Sequence, residues 1–395
     1  MTEEALLAGL AELAITGGSN MQPGQVVAVG SEPGKEELAR AVARAAYEHG
    51  AKYVDVASFD MHVKRARIEH AEDLDFVPPW IAQRLLALGE MRAARVGLAG
   101  PVAPGLFNDL DPARVGRDQL PMVPEAIQVV NARATNWTIV PCPTPAWAAL
   151  VHPDADDALE RLRADIAHVC RLDAADPSQA WRDRADALTA AAGRLNDARF
   201  DALRFDGPGT SLTVGLLPSS RWLGGWMETV EGLRHIPNLP TEEVFTAPDP
   251  GRVDGEVRAT KPLVIGGTVI RGLRLRFEGG RAVDVQADEG GEVLATITRR
   301  DEGASRLGEV ALVDREGRIG PMNRVFYDTL LDENAASHVA LGAAYAFTAG
   351  DEDRDRINKS GIHIDFMIGG DDVSVTGLRG DGSETPVLRD GAWQI

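Results

Sequence analysis

The sequence predicts two domains, an α/β domain over residues 1–200 with a mainly parallel sheet and a mixed α+β domain over residues 201–395. Three observations carry this reading. Strand-like and helix-like runs alternate through the first third of the chain, the order that βαβ units require. Beyond Thr210 the pattern changes to short alternating runs between Gly-rich turns, which favours antiparallel pairing. The length of 395 residues, 44% of them apolar, supplies cores for two or three domains and excludes a small disulfide-stapled scaffold.

Taken in order, Leu6, Leu7, Leu10 and Leu13 recur at helical spacing and predict a short amphipathic helix. Gln25-Val26-Val27-Ala28-Val29 reads as a buried strand, and Pro33 to His49 as a helix stopped by Gly50. Tyr53-Val54-Asp55-Val56 returns as a strand, followed by a helix from Trp80 to Ala94 and the strand Arg95-Val96-Gly97-Leu98. Asn136 to Val140 predicts one more strand. Pro141, Pro143 and Pro145 then bar regular structure until helices near Asp154 and at Asp176-Pro177, where Asp176 suits the N-cap and Pro177 the first turn. In the second half, strands are expected at Leu212–Leu216, Leu263–Ile265, Val269–Phe277, Ala282–Val285 and Glu292–Ile297, interrupted by one long helix after Asn334. The run Asp351 to Arg356 reads as a solvated charged loop.

Charge narrows the function. With 41 Lys+Arg against 60 Asp+Glu the net charge is −19, a field that repels phosphate backbones and anionic bilayers, so neither nucleic acid nor membrane is an expected partner. The same field tolerates a cationic ligand such as a free amino terminus. Cys142 and Cys170 are the two cysteines, with no Cys-x-x-Cys pair, so a thiolate zinc site is excluded and a reducing compartment expected. The acidic start Met1-Thr2-Glu3-Glu4 differs from the basic start of a secretory signal, and a cytoplasmic protein is the expectation.

Several common sites are missing: Gly-x-Ser-x-Gly, a Walker loop and His-Glu-x-x-His do not occur. Gly30-Ser31-Glu32-Pro33-Gly34 follows a strand but fits no phosphate-binding fingerprint and serves a turn equally well. In Ile362-His363-Ile364-Asp365-Phe366 the period of two sends His363 and Asp365 to one face, where they can share a metal or form a hydrogen bond with each other. On the helix expected after Asn334, His338 and Tyr345 stand two turns apart on one face, with Gly342 between them. Glu243 and Glu309 interrupt apolar runs, and a buried carboxylate needs a cation, a metal or the surface. Glu242 and Glu243 are neighbours in extended chain, so one of the two faces a site; the pattern leaves open which. Imidazole and carboxylate donors without thiolate suit a pair of divalent ions such as zinc, cobalt, manganese or magnesium. Two such ions ~3.5–4 Å apart can activate a water for attack on a carbonyl.

At these segments the chain resembles the metalloaminopeptidase family of aminopeptidase T, aminopeptidase S and PepS type. The resemblance rests on Pro240-Thr241-Glu242-Glu243-Val244-Phe245-Thr246-Ala247-Pro248, Leu307-Gly308-Glu309-Val310-Ala311, the run from Phe326 through His338 to Tyr345, and His363-Ile364-Asp365-Phe366-Met367-Ile368-Gly369. Met21 to Gln25 and Pro143 to Ala148 extend it into the first half. It implies a homodimeric exopeptidase that removes amino-terminal residues from peptides, with a carboxy-terminal metal-binding catalytic domain. Carried over by position, Glu243, Glu309, His338, His363 and Asp365 match metal ligands, Glu333 a further carboxylate of that site, and Tyr345 a tyrosine that steadies the tetrahedral intermediate. Glu309 would bridge the ions or move the proton. A relative of the family, the 2,5-dihydroxypyridine ring-cleaving dioxygenase, holds one iron through two His and an Asp, which His338, His363 and Asp365 would also serve; the presence of Glu243 and Glu309 favours two metals. A non-catalytic binding protein on this fold would be expected to lack a ligand or the tyrosine.

Overall fold

Four parallel strands form the first sheet, in the order Tyr53–Ser58, Val26–Ser31, Ala94–Ala99, Trp137–Pro141. The computed structural model describes residues 1–118, 120, 121, 123–265 and 268–395. The chain divides into one unit made of Met1–Ala185 and Trp226–Thr241 and a second made of Asp186–Gly225 and Glu242–Ile395.

In the first unit the sequence pattern is realised closely. The helix Glu36–Glu48 buries Leu38, Ala39, Val42, Ala45 and Ala46 at helical spacing, carries Glu36 and Glu37 in its first turn where the helix dipole favours them, and ends before Gly50 at φ +85°. The turn before it offers no phosphate cradle. Lys35 is buried, with Nζ donating to Glu32 Oε2 and to Leu98 O at 2.7 Å each, while the Gly34 N–H donates to Glu36 Oε2 at 2.9 Å. The proline-rich stretch corrects one expectation. Pro145–Val151 is helical, because Pro145 takes the first helical position and Thr144 caps it by accepting from the Trp147 N–H at 3.2 Å. Further on, Pro177–Ala198 is the expected helix, its Asp176 accepting from the Gln179 N–H at 2.9 Å.

Two large antiparallel sheets, with the small hairpin Leu263–Ile265/Thr268–Ile270 beside them in sequence, make up the strands described in the second unit. One has five strands in the order His363–Met367, His338–Gly342, Leu307–Val313, Glu243–Thr246, Leu223–Gly224; the other has eight, among them Ala202–Gly207, Thr210–Leu216 and Pro248–Arg258. Phe205, Leu212, Val253 and Phe277 from the larger sheet join Val310, Leu312, Val339 and Phe366 from the smaller in one hydrophobic core. Burial of that apolar face sets which way the alternate side chains of the five-stranded sheet must turn.

Two further expectations are corrected here. Gly291–Ile297 is a helix, not a strand: it starts from Gly290 at φ +71° and buries Leu294, a single contact face without alternation. The long helix after Asn334 is absent. A short helix, Thr329–Glu333, ends at Asn334, and His338–Gly342 is a strand whose five residues are all buried. Ala and Leu favour helix on their own, but a strand paired on both sides buries every one of these positions, and tertiary packing overrides propensity. Gly342 stops it at φ +106°, where an added Cβ would lie 2.1 Å from Ile362 O. His338 and Tyr345 therefore share no helix face.

Candidate metal centre

Register builds the site on one face of the five-stranded sheet. Ala340 pairs with Glu309 on one side and Asp365 on the other; His338 pairs with Ala311, which also pairs with Phe245; Glu243 pairs with Val313 and His363 with Gly342. Directly opposed residues point to the same side, so Glu243, Glu309, His338, His363 and Asp365 project together, while the residues between them point into the core. Ala311 and Ala340 lie in the middle of this array with no side chain beyond Cβ, leaving space above the sheet between the polar groups. Glu309 reaches its place because the register shifts between Leu307 and Glu309, at Gly308. A Cβ there would meet Gly342 O at 2.2 Å and Ala343 O at 2.5 Å.

The structure brings the predicted residues together. His338 Nε2 lies 3.0 Å from Glu243 Oε2 and 3.5 Å from Glu309 Oε1; His363 Nε2 lies 3.9 Å from Glu309 Oε2 and 3.3 Å from Asp365 Oδ1. The donor atoms fall into two sets, Glu243-Glu309-His338 and Glu309-His363-Asp365, each within 4.8 Å and both containing Glu309. Each imidazole is aimed from behind: His338 Nδ1 lies 3.2 Å from Ala336 O and His363 Nδ1 2.8 Å from Ala343 O, contacts in which Nδ1–H donates to the carbonyl and Nε2 is turned toward the carboxylates. Of the adjacent pair, Glu243 joins the site. Glu242 has its own partners, with Oε1 accepting from the Arg318 N–H at 3.4 Å.

Electrostatics agree with a site that gathers positive charge. Burial pushes the Glu333 carboxyl well above its usual range, and the charges of Asp365 and Glu243 add to the effect. Glu309 is also raised by burial, against the pull of His338. Burial works against a cationic His363, yet Asp365 outweighs it and lifts the imidazole to about 10; His338 is raised well above its ordinary value in the same way by Glu243 and Glu309. Asp365 is lowered because His363 outweighs its burial. The fit to cations is direct. Glu243 Oε2, His338 Nε2 and Asp365 Oδ1 are buried and form no hydrogen bond of good geometry; they face only one another and the neighbouring donors of the cluster, so protons on the imidazoles or bound cations must balance the buried carboxylates.

Tyr345 enters from the loop after Gly342. Its ring lies 5.6 Å from that of His363, 6.3 Å edge-on from Phe245 and 5.3 Å in a stack from Phe347. Phe347 was not anticipated; the alternation Tyr345-x-Phe347 was its available signal. Burial, reinforced by Glu309 and Asp365, raises the Tyr345 phenol, so it keeps its proton. The supposedly solvated run after it is partly structural: Asp353 is buried and accepts from the Ser219 N–H at 3.1 Å and hydroxyl at 2.8 Å.

The profile of the thermophilic metalloprotease family (M29) matches residues 3–393. The chain belongs to the M29 family. It is similar to aminopeptidase T of Thermus aquaticus, 43% identical over 98% of both chains, and to aminopeptidase 2 of Geobacillus stearothermophilus, 38% identical over 97% of this chain and 96% of that one. Among solved structures, wild-type AmpT from Thermus thermophilus superposes with a TM-score of 0.92 at 41% identity, covering 100% of both chains. M29 membership implies divalent metal ions, and the ring-cleaving dioxygenase alternative gains no support from these relatives. Among the described residues of this M29 chain, no helix is long and apolar enough to cross a membrane.

Proposed function

We propose that the chain is an aminopeptidase that releases amino-terminal residues from peptides at a two-metal site, with Glu243, Glu309, His338, His363 and Asp365 as ligands and Glu333 as an associated carboxylate. The observation that carries this reading is the Glu309 carboxylate, whose Oε1 faces His338 and Oε2 faces His363, as a bridging ligand requires. Divalent ions such as zinc, cobalt, manganese or magnesium, when bound, lower the pKa of a water and polarise a carbonyl. The chain's own groups supply the rest. Tyr345, held protonated, donates to the oxygen that becomes negative as the peptide carbonyl turns tetrahedral. Glu333, whose carboxyl burial pushes up so that it can hold a proton, would share proton transfer with Glu309. The excess of carboxylates suits the substrate's ammonium group.

A cytoplasmic homodimer completes the proposal; the dimer follows from the family resemblance, and the two buried cysteines are free, as a reducing compartment allows. The test is to strip the chain of metal, restore single metals, and assay a panel of peptides with free and blocked amino termini. Two metal equivalents per chain with release of free amino acids are expected. Activity on blocked peptides, or full activity with one equivalent, would sink the proposal.

A further inference from the structure

Five ligands on one sheet are held in register by strand pairing, but Glu333 belongs to a different element, the short helix Thr329–Glu333, and Glu243 is the first residue of its strand. The helix packs against the strand His363–Met367, and a separate contact ties its end to the start of the Glu243 strand. The amide of Asn334 makes this connection. Its Oδ1 accepts from the Glu242 N–H at 2.6 Å, and its Nδ2 donates to Leu330 O at 2.9 Å. Asn334 is 0% exposed, as is Glu242, so neither bond has water as a substitute. The Glu242 N–H lies one residue before the pairing with Leu307–Val313 begins at Glu243, so in place of a ladder partner it has Asn334. Leu330 O belongs to the helix whose last residue is Glu333. One side chain thus joins the backbone next to Glu243 to the helix that presents Glu333, and it is itself the residue after Glu333.

We infer that Asn334 is a positioning residue for the metal centre: through its two hydrogen bonds it sets the placement of Glu243 relative to Glu333. The inference rests on the metal reading above. Asparagine suits the task because its amide is acceptor and donor at once without adding charge to a site already crowded with carboxylates. Alanine removes both bonds; serine keeps a hydroxyl acceptor of shorter reach.

The test titrates the metal-free full-length protein with Co²⁺ alone, following binding by calorimetry and ligand geometry by the cobalt absorption bands. A second buried asparagine serves as control: Asn136, whose Nδ2 donates to Ser19 O at 2.6 Å, lies in the other unit. Asn334→Ala is expected to weaken Co²⁺ binding at least tenfold and to alter the absorption bands. Asn136→Ala, at a comparable loss of melting temperature, is expected to leave both unchanged. Asn334→Ser, the milder variant should the alanine protein not fold, is expected to fall between. Cobalt affinity and spectrum matching the parent protein in either folded Asn334 variant overturn the inference while leaving the metal reading in place. A parent protein that binds no cobalt overturns the metal reading and the inference with it.

Discussion

Ala340 stands directly opposite Asp365 in one ladder and opposite Glu309 in the other, and both carboxylates reach past its single methyl group. A side chain larger than alanine at this position would occupy the space the polar groups surround. Ala340→Leu is therefore expected to abolish metal retention and to lower activity at least a hundredfold, with the strand order intact because leucine suits a buried strand. Elemental analysis of the purified variant decides it: a metal content equal to that of the parent chain would show that the space above Ala340 is not the metal's.

How much of this was legible follows from which forces act locally. Residues 362–366 alternate with a period of two, and because period alone sets faces in a strand, His363 and Asp365 could be placed on one side without knowing the neighbours. The carboxylates Glu243 and Glu309 were visible as violations of apolar runs. The strand at His338 is not legible: Val339, Ala340 and Leu341 are all buried and pair along both edges with residues 23 to 34 positions away in sequence, and such a run has no alternation to read. Tyr345 reaches the site from the loop that follows the strand end at Gly342 and not through a helical repeat. Pro145 was read as a breaker when its position made it a helix start, a distinction that depends on the Thr144 hydroxyl.

The shared position of Glu309 predicts an asymmetry in metal loss. Asp365 belongs to one donor set and Glu309 to both. Asp365→Ala is expected to retain about one metal equivalent of two, and Glu309→Ala to retain none at micromolar metal. Metal-to-protein ratios after gel filtration measure this. Equal losses in the two variants would remove Glu309 from its bridging role.

The Tyr345 ring is held among Phe245, Phe347 and His363, and its phenol feels the charges of Glu309 and Asp365. Tyr345→Phe keeps the ring contacts and deletes only the hydroxyl, so its effect isolates the hydrogen bond. Loss of one oxyanion donor costs roughly 10²–10³ in kcat, and that is the expected fall, with metal content and KM nearly unchanged. Steady-state kinetics on the metal-replete variant checks it; a kcat within threefold of the parent's would remove the tyrosine from the chemistry.

The first unit carries an acid sensitivity of its own at His235. This imidazole is buried near the Trp137 ring, at 6.2 Å between centroids, and burial lowers its pKa to about 4. In the unfolded chain a histidine titrates near 6.5. Between those values the unfolded state binds a proton that the folded state refuses. The contribution to stability is therefore fully present above pH 6.5 and drains away as pH falls toward 4. From pH 8 to pH 5 the loss is about 2 kcal/mol from this group alone. His235→Leu, similar in volume and unable to titrate, is expected to lose correspondingly less over the same interval. Urea midpoints of the two proteins at pH 8 and pH 5 give the comparison, and parallel losses in both would mean that His235 is protonated in the folded chain at little cost.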